Sequence, residues 1–272
     1  MMNGVIVVNQ KNDHCEHKVQ RLLKEAKNLD IDLKIKVNDG TIAKIENGNI
    51  VISFDCDFVI YLDKDIYLAR LLEKNGYILF NNADFIKMCD DKTLSNIFFA
   101  NHNIKMPKTI SSPLVYTNEL SKENYVFLEY LESELSYPFI AKKVYGSLGE
   151  GVYLVNNYSE LKSFYDKYFK EPLQFQEYIK NSFGKSIRVI VIDNEIFGAF
   201  ERINNTDFRS NFGVNASAKE YQLNKKDVEF VNQIISCVDI RYAGIDLLLS
   251  ENGPLLCEIN SNAFFDVFEK FI

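Results

Sequence analysis

Apolar residues change period along this chain in an order that alternates strand and helix. Residues 4–8, Gly-Val-Ile-Val-Val, read as a short buried strand. Val19, Leu22, Leu23 and Ala26 recur at helical spacing, which predicts a helix over 15–28. Asp32–Val37 alternates with period two, as a strand does. Thr41–Glu46 and Asn49–Ile52 flank Asn47-Gly48, a tight hairpin turn. Asp57–Leu62 reads as another strand, Ile66–Lys74 as a helix stopped by Asn75-Gly76, and Tyr77–Phe80 as a strand. This β-α-β alternation makes residues 1–90 an N-terminal α/β unit.

A helix is expected from about Asp90 to Asn101, with Leu94, Ile97 and Phe98 inward. Met106-Pro107 opens an extended segment, and residues 112–136 carry a helical pattern with surface loops. Tyr137–Val144 and Val152–Val155 read as strands around a glycine-rich turn, and Tyr158–Phe169 as a helix. Leu173–Ile179 is an edge-like strand with a mixed pattern. Ile187–Ile192 and Glu195–Glu201 flank the Asp193-Asn194 turn, residues 204–217 read as a long loop, and Asp227–Val238 as a helix. The order suggests three units: 1–90, a central 91–172 and a C-terminal 173–272. Neither an internal repeat nor a low-complexity tract is visible.

The last strand pair carries the densest chemistry. Ala243–Ser250 and Pro254–Ser261 flank Glu251-Asn252-Gly253, a hairpin signal. Folding about Asn252 sets Asp246 opposite Glu258, with Asn260 on the same face. The other face then reads Ile245, Leu247, Leu249, Leu255, Cys257 and Ile259. Two like charges facing each other across strands repel. A divalent cation turns that repulsion into binding, and two carboxylates with an amide oxygen suit magnesium held jointly with phosphates. The plain alternative is a solvated polar face.

Composition narrows the partners. The chain has 272 residues, 47% of them hydrophobic, enough for a buried core. Its formal net charge of -7, without a basic stripe, argues against nucleic acid as the main partner. The five cysteines, Cys15, Cys56, Cys89, Cys237 and Cys257, are scattered without a CxxC pair, as in a reduced cytoplasm. The N-terminus lacks a signal-peptide pattern, and there is no membrane-length apolar run. His14 and His17 beside Cys15 are a weak metal pattern, more ordinary as surface residues.

Two further constellations matter. Ala141-Lys142-Lys143 precedes Gly146-Ser147-Leu-Gly149-Glu-Gly151, where glycines let backbone amides approach a phosphate and lysine adds charge. No Gly-Lys-Ser/Thr follows, and a strand rather than a helix comes next, so neither common nucleotide fingerprint applies. A purely structural turn fits the same residues. Arg188, Arg202 and Arg209 fall within a short span and offer forks for carboxylate or phosphate, although surface ion pairs account for most single arginines.

Taken together these segments resemble the ATP-grasp fold, an α/β (α+β) architecture, and within it the RimK-like α-L-glutamate ligases. The matching residues are Asp91-Lys92, Ala141-Lys142, the glycine turn to Val152, Gln176-Glu177-Tyr178-Ile179, Ile187-Arg188 and Glu201-Arg202. Asp207-Phe208-Arg209-Ser210-Asn211, Ala243-Gly244-Ile-Asp246 and Glu258-Ile-Asn260-Ser261 complete the set. The likeness covers about 75–262.

The resemblance implies a pre-ATP-grasp domain followed by two α+β subdomains that clamp ATP. It implies Lys92 and Lys142 on the phosphates, Gln176–Ile179 as the adenine hinge, and Arg188 with the glycine turn in nucleotide binding. Asp246, Glu258 and Asn260 are implied to hold Mg2+ or Mn2+. Arg202 and Arg209 are implied to neutralise phosphate and an acyl intermediate, with Asn211 beside them. The implied activity is ATP-dependent joining of a small-molecule or peptide carboxylate to an amine through an acylphosphate, glutamate being one candidate substrate. Homo-oligomerisation is left open.

The departures fall near the substrate. Ser186 stands where the family commonly has an acidic ribose contact. Phe212-Gly-Val-Asn-Ala216 replaces a basic glycine-rich stretch, and Ser261-Asn-Ala-Phe-Phe265 replaces Ser-Pro-Gly. A catalytically reduced ATP-binding module acting through a partner, and a glutathione- or D-amino-acid-type ligase, are the alternatives.

Overall fold

The computed structural model describes residues 1–9, 16–211 and 216–270. His14 and Cys15, and residues 212–215 of the expected 204–217 loop, lie outside the described residues.

Among the described residues, three larger sheets and one two-stranded hairpin organise the chain. The first is parallel, ordered β2-β1-β5-β6, from β1 (Met2–Asn9), β2 (Ile31–Asn38), β5 (Phe58–Leu62) and β6 (Leu79–Phe80). Helices α1 (Glu16–Asn28) and α2 (Ile66–Lys74) cross between its strands, and β3 (Ala43–Glu46) with β4 (Asn49–Ile52) forms the Asn47-Gly48 hairpin. Both turn residues take positive φ, which Asn and Gly tolerate better than other residues. Asp65 caps α2 by accepting from the Tyr67 and Leu68 amides.

The second sheet is ordered β7-β10-β8-β9, from β7 (Thr109–Ser111), β8 (Phe139–Lys143), β9 (Val152–Val155) and β10 (Leu173–Glu177). Helices α5 (Lys122–Glu134) and α6 (Tyr158–Tyr168) supply its core, where Leu128, Leu131, Phe139, Leu161 and Phe175 pack. The third sheet is ordered β13-β12-β11-β14-β15, from β11 (Lys185–Ile192), β12 (Glu195–Asn204), β13 (Ala216–Glu220), β14 (Tyr242–Ser250) and β15 (Gly253–Asn260). Its odd-numbered residues Ile187, Val189, Ile245 and Leu247 pack on α7 (Lys225–Ile235), leaving the even-numbered face for the site.

Four expectations change. The helix expected from Asp90 is preceded by another. There are two here, α3 (Ala83–Asp90) and α4 (Lys92–Asn101). Asp91 separates them in extended conformation and caps α4 through the Thr93 and Leu94 amides. On α4 the inward stripe is Ser95 and Phe99, with Phe98 partly buried, while Leu94 and Ile97 face out. Phe85 and Phe99 reach the core of the C-terminal sheet, so these helices answer to that sheet and not to a local apolar stripe. Strand β10 is central, between β7 and β8. Its polar residues Gln174 and Gln176 are buried, not solvated at an edge.

The fourth change is in the closing hairpin. Ser250 pairs with Gly253 and Leu247 with Leu256, so the turn is the two residues Glu251-Asn252. A bulge between Asp246 and Leu247 then shifts the register by one, and Asp246 meets Glu258 as expected. The extra residue is Cys257. Leu256, not Leu255, therefore enters the core, and Cys257 turns toward the cleft.

Candidate functional site

The even-numbered face of the third sheet and the inner face of the second enclose a cleft roofed by the 146–151 turn. Strand alternation places Lys142 (β8) and Gln176 (β10) on its floor. Directly paired strands bring Arg188 (β11) beside Asp246 (β14) and Ser186 (β11) beside Arg202 (β12). The adjacency of β11 and β14 thus gathers both arginines on one carboxylate.

Two adjoining cavities share Ser147, Leu148, Arg202, Asn211 and Glu258. The first holds about 140 Å³ and runs from the 176–179 segment past Lys142, Lys92 and the glycine turn to Asp246. The second holds about 470 Å³ and continues past Arg188 and Asn260 to Asp63, Lys64 and Asp90 of the N-terminal part. Volumes of this order suit a small ligand, and the larger cavity falls in the usual range of a few hundred Å³. Lys92, Lys142, Gly146, Ser147, Gly149, Gln176, Glu177, Tyr178, Ile179, Arg209 and Asp246 line the first cavity. Arg188 and Asn260 line the second. Gly151 stands behind the wall. Its φ of 74° closes the turn and its carbonyl accepts from the Lys143 amide at 3.0 Å.

Each cation expected at the site has an acceptor within the chain. The Arg188 guanidinium grips Asp246 through Nε and, at 2.8 Å, through Nη2. Arg202 adds Nη2 to Asp246 Oδ2 at 2.6 Å and Nε to Ser186 Oγ at 3.0 Å. Burial disfavours charge on Asp246 and Arg188. The ion pairs outweigh it, so the Asp246 carboxyl is held below the usual range and Arg188 is raised further. The repulsion between Asp246 and Glu258 is therefore already answered by guanidinium groups. Glu258 accepts from Asn260 Nδ2 at 3.1 Å.

Lys142 is 5% exposed and donates to Gln176 Oε1 at 3.0 Å. Burial lowers its pKa, with Lys92 adding to that shift and Cys257 and Glu258 opposing it. Burial also raises the neighbouring Cys257 thiol to about 11, so it stays a thiol at neutral pH. Lys92 Nζ donates to Gly146 O at 2.8 Å and Val144 O at 3.3 Å.

Some features of the wall have no counterpart in the sequence reading. Ser186 and Ser210 share a 2.6 Å hydroxyl bridge there, and Lys185 and Cys257 join them beside Phe208. Cys257 was reachable by allowing the hairpin one bulge. The Ser186–Ser210 bridge had no local signal, because it joins a strand to a loop. The Ser261–Phe265 segment also gains a reason. Lys18 of α1 donates to Asn262 Oδ1 at 2.6 Å and Ala263 O at 2.8 Å, beneath the rings of Phe264, Phe265 and Tyr242.

A family model described as the RimK-like ATP-grasp domain matches residues 89–272. An uncharacterized protein of Mycoplasma genitalium, MG012, is 33% identical over 246 residues, 89% of this chain and 85% of its own. Human beta-citrylglutamate synthase B is 26% identical over 280 residues, 96% of this chain and 70% of its own. A RimK domain ATP-grasp protein from Sphaerobacter thermophilus superposes with a TM-score of 0.74 at 14% identity, covering 99% of this chain and 95% of its own. The likeness in structure is one of fold.

Proposed function

The chain belongs to the RimK-like ATP-grasp family, and from that premise we propose that it is an ATP-dependent carboxylate–amine ligase acting through an acylphosphate. The carrying observation is the convergence of Lys92, Lys142, the glycine turn, Arg202, Asp246 and Glu258 on one continuous cleft. The 176–179 segment, where strand β10 ends, is the proposed adenine seat, and the two lysines the proposed phosphate contacts.

The residues present fit a magnesium or manganese ion. Asp246 offers about four lone-pair positions on its two oxygens. Three are taken by Arg188 and Arg202, leaving one. Glu258 and the Asn260 carbonyl oxygen complete a hard, oxygen-rich set. Such an ion supplies charge neutralisation at the phosphates when bound.

In the proposed reaction a carboxylate oxygen of the acid substrate attacks the γ-phosphorus of ATP, and ADP leaves. The amine nitrogen then attacks the acyl carbon, inorganic phosphate leaves, and the nitrogen gives up a proton. Charge gathers on phosphoryl oxygens in the first step and on the acyl oxygen in the second. Arg202 lines both cavities, so it stands where charge from either step is met. Asn211 lines the same two cavities and is the proposed group that orients the transferring phosphoryl. Water must be excluded or the acylphosphate hydrolyses, which the glycine turn over the cleft serves. The second cavity is the proposed seat of the acid and amine. The relative named for beta-citrylglutamate supports a glutamate-type substrate.

Incubation with ATP, magnesium and a deproteinised cell extract, followed by mass spectrometry, tests the reading. Expected are ADP formation that depends on the extract and an amide product equal to two extract components less water. Glu258→Gln should yield neither. ADP formed equally without extract, or by the variant, contradicts the proposal.

A further inference from the structure

The glycine turn is held at both ends. At its entry, Lys92 Nζ takes the carbonyls of Val144 and Gly146. At its exit, Arg209 Nη1 takes the carbonyls of Gly149 at 3.2 Å and Val152 at 3.3 Å. Arg209 comes from the loop after β12, on the other side of the cleft. That loop is itself fixed. Asn204 Oδ1 accepts from the amides of Thr206 at 2.9 Å and Asp207 at 3.0 Å. The Gly184 amide donates to Phe208 O at 3.0 Å. The loop presents Asp207, whose two oxygens accept Arg209 Nε at 2.9 Å and Nη2 at 2.8 Å. A planar fork gripped by two hydrogen bonds along its Nε–Nη2 edge has one orientation, which aims Nη1 at the turn.

We propose that Asp207 and Arg209 are a positioning pair that sets the shape of the glycine turn from across the cleft. Arg209 acts through the turn's carbonyls and not directly on a phosphate. This deepens, and rests on, the reading of the cleft as a nucleotide site. A trans peptide aims its N–H away from its C=O. Holding Gly146 O and Gly149 O therefore fixes the direction of the Ser147 amide and reinforces that of Glu150, whose N–H donates to Ser147 O at 3.1 Å. Leu148 and Gly149 between them take positive φ, of 57° and 79°, a shape that needs outside support at the non-glycine position. The aspartate contributes orientation, and the arginine contributes reach.

The test compares Asp207→Asn, Arg209→Ala and Arg209→Lys with the parent. Hydrogen exchange of residues 143–152 is followed in the protein alone, and calorimetry follows binding of magnesium with a non-hydrolysable ATP analogue. All three variants should speed exchange across 143–152 at least threefold. All three should weaken analogue binding by about the same factor, near tenfold, because Asn and Lys each break the fork while leaving a cation in place. If D207N and R209K bind the analogue as the parent does while R209A does not, Arg209 acts on phosphate by charge and the proposal is overturned. Unchanged exchange in all three variants overturns it as well. The exchange arm uses no nucleotide, so a parent that fails to bind the analogue sinks the nucleotide reading while the positioning pair is still judged by exchange.

Discussion

Replacing Asp246 by Asn separates two roles that this carboxylate holds. Asp246 is 2% exposed and receives three arginine N–H bonds, two from Arg188 and one from Arg202. The amide keeps the shape but removes the charge, and its NH2 group then faces guanidinium donors. Removing one partner of a buried ion pair costs about 3–5 kcal/mol, because the charge left behind stays desolvated. With roughly 2–4 °C lost per kcal/mol in a chain near this size, D246N should melt about 6–20 °C below the parent. Glu258→Gln provides the contrast. Glu258 lines the same cleft, half-buried, and its contact is the Asn260 amide. E258Q should melt within about 2 °C of the parent, as substitutions that break no buried network do.

The pH profile carries the same sign. The folded Asp246 carboxyl titrates below its unfolded value. Its contribution is fully present above about pH 4 and is lost as pH falls from there toward the folded pKa. Parent and D246N melting temperatures should therefore converge on acidification below pH 4. Differential scanning calorimetry from pH 7 to 3 measures both effects. If D246N melts with the parent at pH 7, or the two curves diverge in acid, the buried ion-pair argument is refuted.

Other perturbations follow from the same geometry. Lys142→Met should weaken binding of an ATP analogue at least tenfold in calorimetry while moving the melting temperature by only about 5 °C or less, since relief of a buried ammonium is opposed by the donor lost to buried Gln176 Oε1. Gly184→Ala places a Cβ 1.9 Å from the Asn204 carbonyl oxygen at a φ of 60°. Backbone must move, so denaturant unfolding should show a loss of about 2 kcal/mol or more and 205–211 should exchange faster. Lys18→Met strips the donor from Asn262 Oδ1, while Ala263 O keeps the Tyr242 hydroxyl at 2.6 Å. A stability loss of about 1–3 kcal/mol should result, the cost of one acceptor left bare, read by denaturant unfolding.

What could be read from the chain was local. Asn47-Gly48 and Asp193-Asn194 announced their hairpins because a two-residue turn with positive φ has few suitable residues. Ile66–Lys74 carried both its stripe and its stop. The pairing of Asp246 with Glu258 was also legible, although it is reached through a two-residue turn and a bulge and not through a fold about Asn252. Parity alone cannot show the bulge, so strict alternation puts Leu255 and Cys257 on the core face, which Leu256 in fact enters. The acceptors of the arginines were invisible for another reason. Arg188 meets Asp246 only because β14 lies beside β11, fifty-eight residues away in sequence. Likewise α4 turned Ser95 and Phe99 inward because of what it packs against, which its own stripe did not record.

The central claim is that a divalent ion sits at Asp246, Glu258 and Asn260 and faces a nucleotide in the adjoining cavity. Anomalous diffraction at the manganese edge, from crystals grown with Mn2+ and a non-hydrolysable ATP analogue, tests it directly. The account predicts a peak within coordination distance of Asp246, Glu258 and Asn260, with the analogue's phosphates between it and Lys142. Analogue density in the cleft with no peak beside Glu258, or a peak elsewhere in the molecule, would contradict it.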